Sequence, residues 1–357
     1  ADWGRKADKI INHTPGANSA TILGRRVDIL GANDARAESR IRGATVAGVY
    51  VDEGSLLPDE GYWNQLRARM SIDGARLFLT TNPDNPLHWL KRVIDQADAW
   101  GFRVWHFTLD DNPGLSESYK EQIRRENRGV FYKRNVEGLW VIAEGVVYDM
   151  LDLERHVAGV EAMPDIVDWV LAIDPGAAGT HAAVLVGLGV DDRLWVAGEW
   201  RWVAAEKQRR LTDLEAADHM ARWLDGWEAE HGRKVDLWKT VVDPAGASMI
   251  TQLHRDNATG GRHPGRFGSV RQANNAVIPG IRHVGSLLAA DRLRIVSACV
   301  GLIAEKQTYS WDEKAAERGE DRPVKANDHS CDAERYAVEA TTSWWGGWVA
   351  ETVDEAA

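Results

Sequence analysis

Along residues 165–188, DIVDWVLAIDPGAAGTHAAVLVGL, two apolar runs flank a Gly/Pro-rich stretch. The first, Trp169-Val170-Leu171-Ala172-Ile173, leads into Asp174; Pro175-Gly176-Ala177-Ala178-Gly179 follows, and the second run covers 181–188. Strand, tight turn and strand is the hairpin this pattern predicts. A third strand is expected at 194–202, carrying Glu199 toward either the site or solvent. The spacing of Leu214, Ala217, Met220, Ala221 and Leu224 then predicts an amphipathic helix over 211–231, with these residues as its core face. A strand at 237–242 ends in Asp243, and a helix follows at 248–255. Residues 284–310, with Leu287, Leu288, Leu293, Ile295, Cys299, Leu302 and Ile303, read as core. A last helix opens at 327–337, with Asn327 or Asp328 as candidate N-cap.

The N-terminal part patterns differently. Residues 20–31 predict two short strands around Gly24-Arg25-Arg26. An apolar strand at 46–53 closes in Asp52-Glu53, a helix is expected at 59–70, and a strand at 75–79 runs into Thr80-Thr81-Asn82-Pro83. A strand at 102–107 and a charged helix at 116–127 bracket Asp110-Asp111-Asn112-Pro113. Residues 138–164 read as a connector, with a turn at Glu144-Gly145 and a short strand from Val146.

Composition narrows the class. A chain of 357 residues accommodates two domains with separate cores, and 44% hydrophobic with 27% charged residues is ordinary for a soluble globular protein. No apolar run approaches the roughly 18 residues of a membrane span, and ADWGRKADKI has no signal-peptide core. The start on Ala1 is expected of a processed product or a fragment. Cys299 and Cys331 make neither a CxxC pair nor a zinc spacing, which points to a reducing intracellular setting. Seventeen tryptophans are many, but suggest no function by themselves. A net charge of −11 argues against nonspecific coating of nucleic acid, while leaving room for an acidic metal site beside a local basic groove. Such a reversal of charge exists at 255–283, where Arg255, Arg262, Arg266, Arg271 and Arg282 face one acid, Asp256. This segment is the candidate DNA-backbone contact; the alternative is a basic loop packed on the acidic remainder.

The acids carry the chemistry. A carboxylate at the end of a buried strand is costly to desolvate unless a cation or donor meets it, so Asp174 is a metal-ligand candidate. An apolar strand closing in Asp52-Glu53 has the Walker B pattern, in which the Asp holds magnesium and the Glu orients the attacking water. A plain strand-end turn gives the same letters, but the polar tip Thr80-Thr81-Asn82 sits where a neighbouring parallel strand places a nucleotide sensor. Arg40 and Arg42 are either phosphate contacts or surface arginines. No GxxxxGK[ST] phosphate loop occurs in these residues, so this chain alone is expected to bind ATP weakly or not at all.

Taken in order, the DE-ended strand, TTNP, DNP before a helix, GLWVIAEGVVYDM, the strand ending in DPG, VVDPAGAS and NDHSCDAERYA resemble the large subunit of tailed-phage terminases over residues 20–345. The resemblance implies an α/β protein: a partial P-loop-type parallel sheet lacking the Walker A region, then an RNase H-like mixed α/β nuclease domain. The expected divisions are 1–143 for the ATPase part, 144–164 for the linker, 165–345 for the nuclease and 346–357 for a tail. Asp52 and Glu53 would be the Walker B pair, and Thr80, Thr81 and Asn82 the coupling motif. In such a fold the strand at 237–242 lies beside the first strand and brings Asp243 alongside Asp174. Asp328 and Asp332 share a helix face with His329; capping and a helical ion pair would explain them alone, but beside two strand-end aspartates metal coordination is preferred. The resemblance thus implies a two-metal endonuclease using Mg2+ or Mn2+, with Asp174, Asp243 and Asp332 as ligands and Asp328 and His329 auxiliary. Asp149 and Asp152 are expected to be solvated. ATP with Mg2+ would bind only the complete ATPase domain. Implied partners are double-stranded DNA, the terminase small subunit and the portal or procapsid, with a homo-oligomeric ring during packaging in the host cytoplasm and no membrane. Trp344-Trp345-Gly346-Gly347-Trp348 either docks on the portal or packs in the core. Another RNase H-like nuclease such as a resolvase, or a packaging component with a silent nuclease, are the competing readings.

Overall fold

A computed structural model describes residues 10–32, 41–57, 59–176 and 180–346. Arg40, Ala177-Ala178-Gly179, and Gly347 with the remainder of the tail lie outside them. The chain forms two compact units, one of Ala1–Pro83 with His88–Val104 and one of Asp84–Leu87 with Trp105–Ala357. The second unit includes residues 105–143.

In the first unit, β1 (Ile11–His13), β2 (Ser19–Ile22) and β3 (Arg25–Asp28) form an antiparallel sheet in that order. The β2–β3 turn is Leu23-Gly24, both at positive φ (51° and 75°), one residue earlier than the glycine–arginine run suggests. β4 (Gly48–Val51) and β5 (Arg76–Leu79) pair in parallel, joined through α1 (Glu60–Ala68), whose N-cap Asp59 accepts the Tyr62 amide at 2.7 Å. Helix α2 (Trp89–Asp95) adds Trp89, which packs with Trp63, Ile41, Val51 and Leu57 in the unit's core. The strand expected at 102–107 does not form. Its residues belong to no ladder, Val104, Trp105 and Phe107 are exposed, and the division between units falls inside the run. Apolar content without a paired neighbour is not enough to hold a strand.

The second unit begins with α3 (Glu117–Glu126), capped by Ser116, and α4 (Gly129–Asn135). Seven strands follow: β6 (Val157–Ala158), β7 (Ile166–Asp174), β8 (Thr180–Gly189), β9 (Leu194–Val203), β10 (Leu237–Val242), β11 (Ser269–Gln272) and β12 (Leu293–Val296). They make one mostly parallel sheet in the order β11-β10-β7-β8-β9-β12-β6; only β7–β8 and β8–β9 are antiparallel, the predicted meander. Within the expected linker, β6 closes the sheet edge and Val147, Tyr148 and Met163 are buried in the core. Helix α5 (Asp213–His231) starts at a Thr212–Glu215 capping box. It buries Ala216, Ala217, Met220, Ala221, Leu224 and Trp227; Leu214, placed on the core face by its spacing, is exposed, since the buried stripe begins further along the helix. Trp227 packs edge-on against Trp169 (5.4 Å), and the Trp345 indole donates to Val338 O at 3.0 Å, so tryptophans here serve packing. Helices α6 (Ala247–Asn257), α7 (Val277–Ala289), α8 (Val300–Thr308) and α9 (His329–Ala340) complete the unit, and α9 lies across β7, β8 and β10. Among the described residues no helix is long and apolar enough to cross a membrane.

The start of α9 is pinned by shielded acids. Glu305 accepts the amides of Ser330 (2.7 Å) and Cys331 (3.0 Å), two of the donors a helix start leaves open. Glu199 accepts the Ser330 hydroxyl at 2.5 Å and the Gly301 amide at 2.8 Å, so it faces inward. Arg201 meets Glu305 at 2.8 Å. A methyl group at Gly301 would collide with Arg201 and Glu199, so glycine keeps this clamp closed. One turn along, Lys306 and Glu334 form a fully buried pair at 2.6 Å, with the ammonium 3.8 Å from the Tyr148 ring centre.

Burial pushes the Glu305 carboxyl from 4.5 up to about 7, partly offset by Arg201 and the two amides. Because the folded pKa lies above the unfolded one, the folded state holds the proton more tightly between those values. Its contribution is complete below 4.5 and is lost as pH rises to about 7; the whole span is on the order of 3 kcal/mol. Glu305→Gln is expected to flatten the fall in stability between pH 4.5 and about pH 7, measured by urea unfolding. An unchanged slope would contradict the assignment.

Candidate active site

Two sets of polar residues stand at the carboxyl ends of parallel strands, one in each unit. In the first unit the β4/β5 register pairs Val51 with Leu79, so Asp52 and Thr80 leave adjacent strands together. The Thr80 hydroxyl donates to Asp52 Oδ1 at 2.7 Å, and the Tyr50 hydroxyl lies 3.2 Å from Thr80 Oγ1. The Ser55 amide donates to Thr81 Oγ1 at 3.1 Å, and Thr81 Oγ1 donates to the Asn82 carbonyl at 3.0 Å. Glu53 is exposed and takes a left-handed conformation (φ 53°, ψ 56°), which turns the chain out of the strand. The structure thus brings the strand-end acid against the Thr80-Thr81 tip.

In the second unit the parallel register sets Val242 beside Ile173, and the Asp243 amide donates to Ile173 O at 3.1 Å. Asp174 and Asp243 therefore stand side by side at the sheet's end. His329, the first residue of α9, donates from Nδ1 to Asp174 Oδ2 at 2.7 Å, and this bond raises the imidazole pKa. Asp243 accepts the Ala245 amide at 2.7 Å on one oxygen and the Tyr336 hydroxyl on the other. Asp332, one turn into α9, is held by Arg335 (2.7 Å) and Lys325 (2.9 Å). Asp328 occupies the N-cap position but makes no capping bond; its carboxylate faces Lys325 at 3.3 Å instead. Arg335 is itself buried, donating to the carbonyls of Asn275 and Ala276 at 3.1 Å each.

The predicted acids are thus gathered at one end of the sheet and the start of one helix, but each keeps its own partner. Among the described residues no three His, Cys, Asp or Glu side chains converge as a group that could hold a metal ion. Asp152 caps the short helix Leu153–His156, and Asp149 lines a cleft of about 220 Å³.

The basic segment divides. Arg262, His263 (2.7 Å) and Arg222 (3.2 Å) all meet Asp218 of α5, and Arg266 meets Asp225 (3.0 Å) and Glu228 (3.1 Å). Arg282 lies over the Phe131 ring at 5.1 Å and lines the 220 Å³ cleft. Arg255 on α6 and Arg271 on the edge strand β11 are exposed. The sequence pattern does not single out Tyr336, Lys325, Arg335 or Glu305. For Tyr336 a signal exists, since it lies four residues after Asp332 and shares its helix face; Glu305 is hidden in a run that reads as core.

Comparison with known proteins places this arrangement. The family model described as "Terminase large subunit, T4likevirus-type, N-terminal" matches residues 6–155. The terminase large subunit of Escherichia phage T5 is 23% identical over 326 residues, 86% of this chain and 68% of that protein. The large terminase of a thermophilic bacteriophage is 32% identical, with a TM-score of 0.83 over 94% of this chain and 80% of that one. Another crystal form of the same thermophilic phage protein, in complex with ATP-gamma-S, gives 0.80 at the same identity and coverage. With 94% of this chain and 80% of that relative covered at 32% identity, the chain belongs to the large subunits of phage DNA-packaging terminases.

Proposed function

We propose that the second unit is an RNase H-like, divalent-metal-dependent DNA endonuclease that cuts concatemeric phage DNA by two-metal hydrolysis. The observation that carries this reading is the β10–β7 register, which sets Asp243 beside Asp174 under the His329 end of α9. The donor set fits the ions: Asp174, Asp243, Asp332 and Asp328 offer hard oxygens, the chemistry Mg2+ and Mn2+ prefer. The carboxylate oxygen Oδ2 of Asp328 is shielded from solvent and is met by the Lys325 ammonium at 3.3 Å. Asp174, Asp243 and Asp332 would hold the two ions, with Asp328 auxiliary. Such ions supply an activated water and stabilise the leaving 3′-oxygen. The chain's own residues prepare the site. His329 orients Asp174 and is placed to carry a proton, Tyr336 fixes the direction of Asp243, and Arg335 fixes one oxygen of Asp332.

The first unit supplies the Walker B and coupling parts of a packaging motor, with Asp52 toward magnesium, Glu53 toward the attacking water, and Thr80, Thr81 and Asn82 as sensor. The thermophilic phage relative was crystallised with ATP-gamma-S, and the Asp52–Thr80 bond supports the same use here. In the intact motor this nucleotide site would drive translocation of double-stranded DNA, with the small subunit, the portal and sister copies in a ring as partners. The phosphate loop is not among these residues, so ATP turnover by this chain alone is expected to be absent.

Incubated with plasmid and Mn2+, the protein is expected to nick and linearise it, and EDTA to stop the reaction. Asp174→Ala and Asp243→Ala should each lose more than the roughly 100-fold typical of losing a residue behind a metal ligand. Equal cutting by wild type and Asp174→Ala would sink the nuclease reading; folded, metal-binding but inactive wild type would favour a silent nuclease.

The ion pairs also reassign the DNA path. Arg255→Glu and Arg271→Glu are expected to weaken duplex binding, lowering the log K against log salt slope by about 1 for each phosphate no longer neutralised. Arg262→Glu and Arg266→Glu place a further negative charge among the acids of α5, and should lower the melting temperature. Loss of DNA binding by a fully stable Arg266→Glu protein would return that arginine to the DNA path.

A further inference from the structure

The Lys325 ammonium stands between two acids of the candidate site. It lies 2.9 Å from Asp332 Oδ2 and 3.3 Å from Asp328. Both carboxylates are shielded, their side chains 9% and 8% exposed, while the lysine side chain is 54% exposed. Asp332 is therefore divided: Oδ1 is locked by the buried Arg335, and Oδ2 faces a cation on a flexible stem that solvent reaches. Asn327, with φ 51°, makes the left-handed turn between Lys325 and the helix start.

Two shielded carboxylates one helical turn apart repel each other and are costly without a positive charge between them. The ammonium meets that need, but an ammonium and a divalent ion cannot share one position. We infer that Lys325 is a resident cation of the metal-free site: it holds Asp328 and Asp332 in place, competes with the incoming ion for them, and withdraws as the ion binds. This rests on the metal-site reading above. Once released, the lysine remains tethered three residues before Asp328 and is free to meet a DNA phosphate. DNA and metal would then cooperate, because the phosphate takes the lysine and the metal takes the aspartates.

The test is calorimetric titration of Mn2+ into the whole chain and into Lys325→Met and Lys325→Arg, each checked for native circular dichroism. Removing an exposed competitor should tighten Mn2+ binding about three- to tenfold in Lys325→Met, with Lys325→Arg close to wild type. Lys325→Met should also melt lower than wild type without metal and regain the difference when Mn2+ is added; a merely structural lysine would cost the same with and without the ion. Unchanged or weaker Mn2+ binding by Lys325→Met, with Asp174→Ala abolishing binding, would overturn the resident-cation role and leave the metal site standing. Absence of Mn2+ binding in every variant would overturn both.

Discussion

The first turn of α9 can sit over the sheet only because Glu199 and Glu305 meet it there. Between them these acids accept two backbone amides and a hydroxyl from the helix start and a further amide from Gly301. A helix start offers open N–H groups and a partial positive charge, so shielded anions stabilise it where water cannot reach. The cost of shielding is visible in the raised pKa of Glu305 and is limited by Arg201. This clamp fixes the register of α9 on β7, and that register decides the chemistry. His329 reaches Asp174, Tyr336 reaches Asp243, and Asp332 and Asp328 face Lys325.

The same geometry recurs in the first unit with different chemistry. Asp52 ends a parallel strand and is met by Thr80 from its neighbour, as Asp243 ends a parallel strand beside Asp174. Parallel strands in register release their side chains at a common edge, so residues far apart in sequence meet there without any loop having to bring them. Asp174 and Asp243 are half-buried at such an edge, whereas Asp52 is exposed and bonded by Thr80. Half-buried acids must be bonded, paired or bound to a cation, which makes them suited to hold metal or to orient a water.

Much of the site is legible in the sequence because its residues flank long apolar runs. β7, β8 and β9 are nearly continuous hydrophobic stretches buried in the core, and their ends place Asp174 without ambiguity. The run at 102–107 looks similar but has no neighbour to pair with, and strand formation depends on that neighbour. The basic segment misleads for a related reason. Asp218 lies 44 residues before Arg262, on a helix whose polar face reads as solvated. Nor does local sequence reveal that Lys306 will meet Glu334, or Lys325 will reach two aspartates, since these depend on how α8 and α9 pack.

In a chain of net charge −11, neutralising a basic segment internally costs little, and a polyanion would gain most from cations that the fold leaves crowded with their own kind. Arg271 and Lys239 fit that condition. They lie on adjacent parallel strands with Arg271 opposite Val241, and burial, then the arginine's charge, depress the lysine pKa. Two like charges on neighbouring strands weaken the sheet edge they share. A polyanion laid along that edge would relieve the repulsion, whereas the arginines already seated on α5 would have to break good ion pairs to join it. The proposed DNA path through Arg271 thus rests on the electrostatics of the folded chain rather than on the count of basic residues.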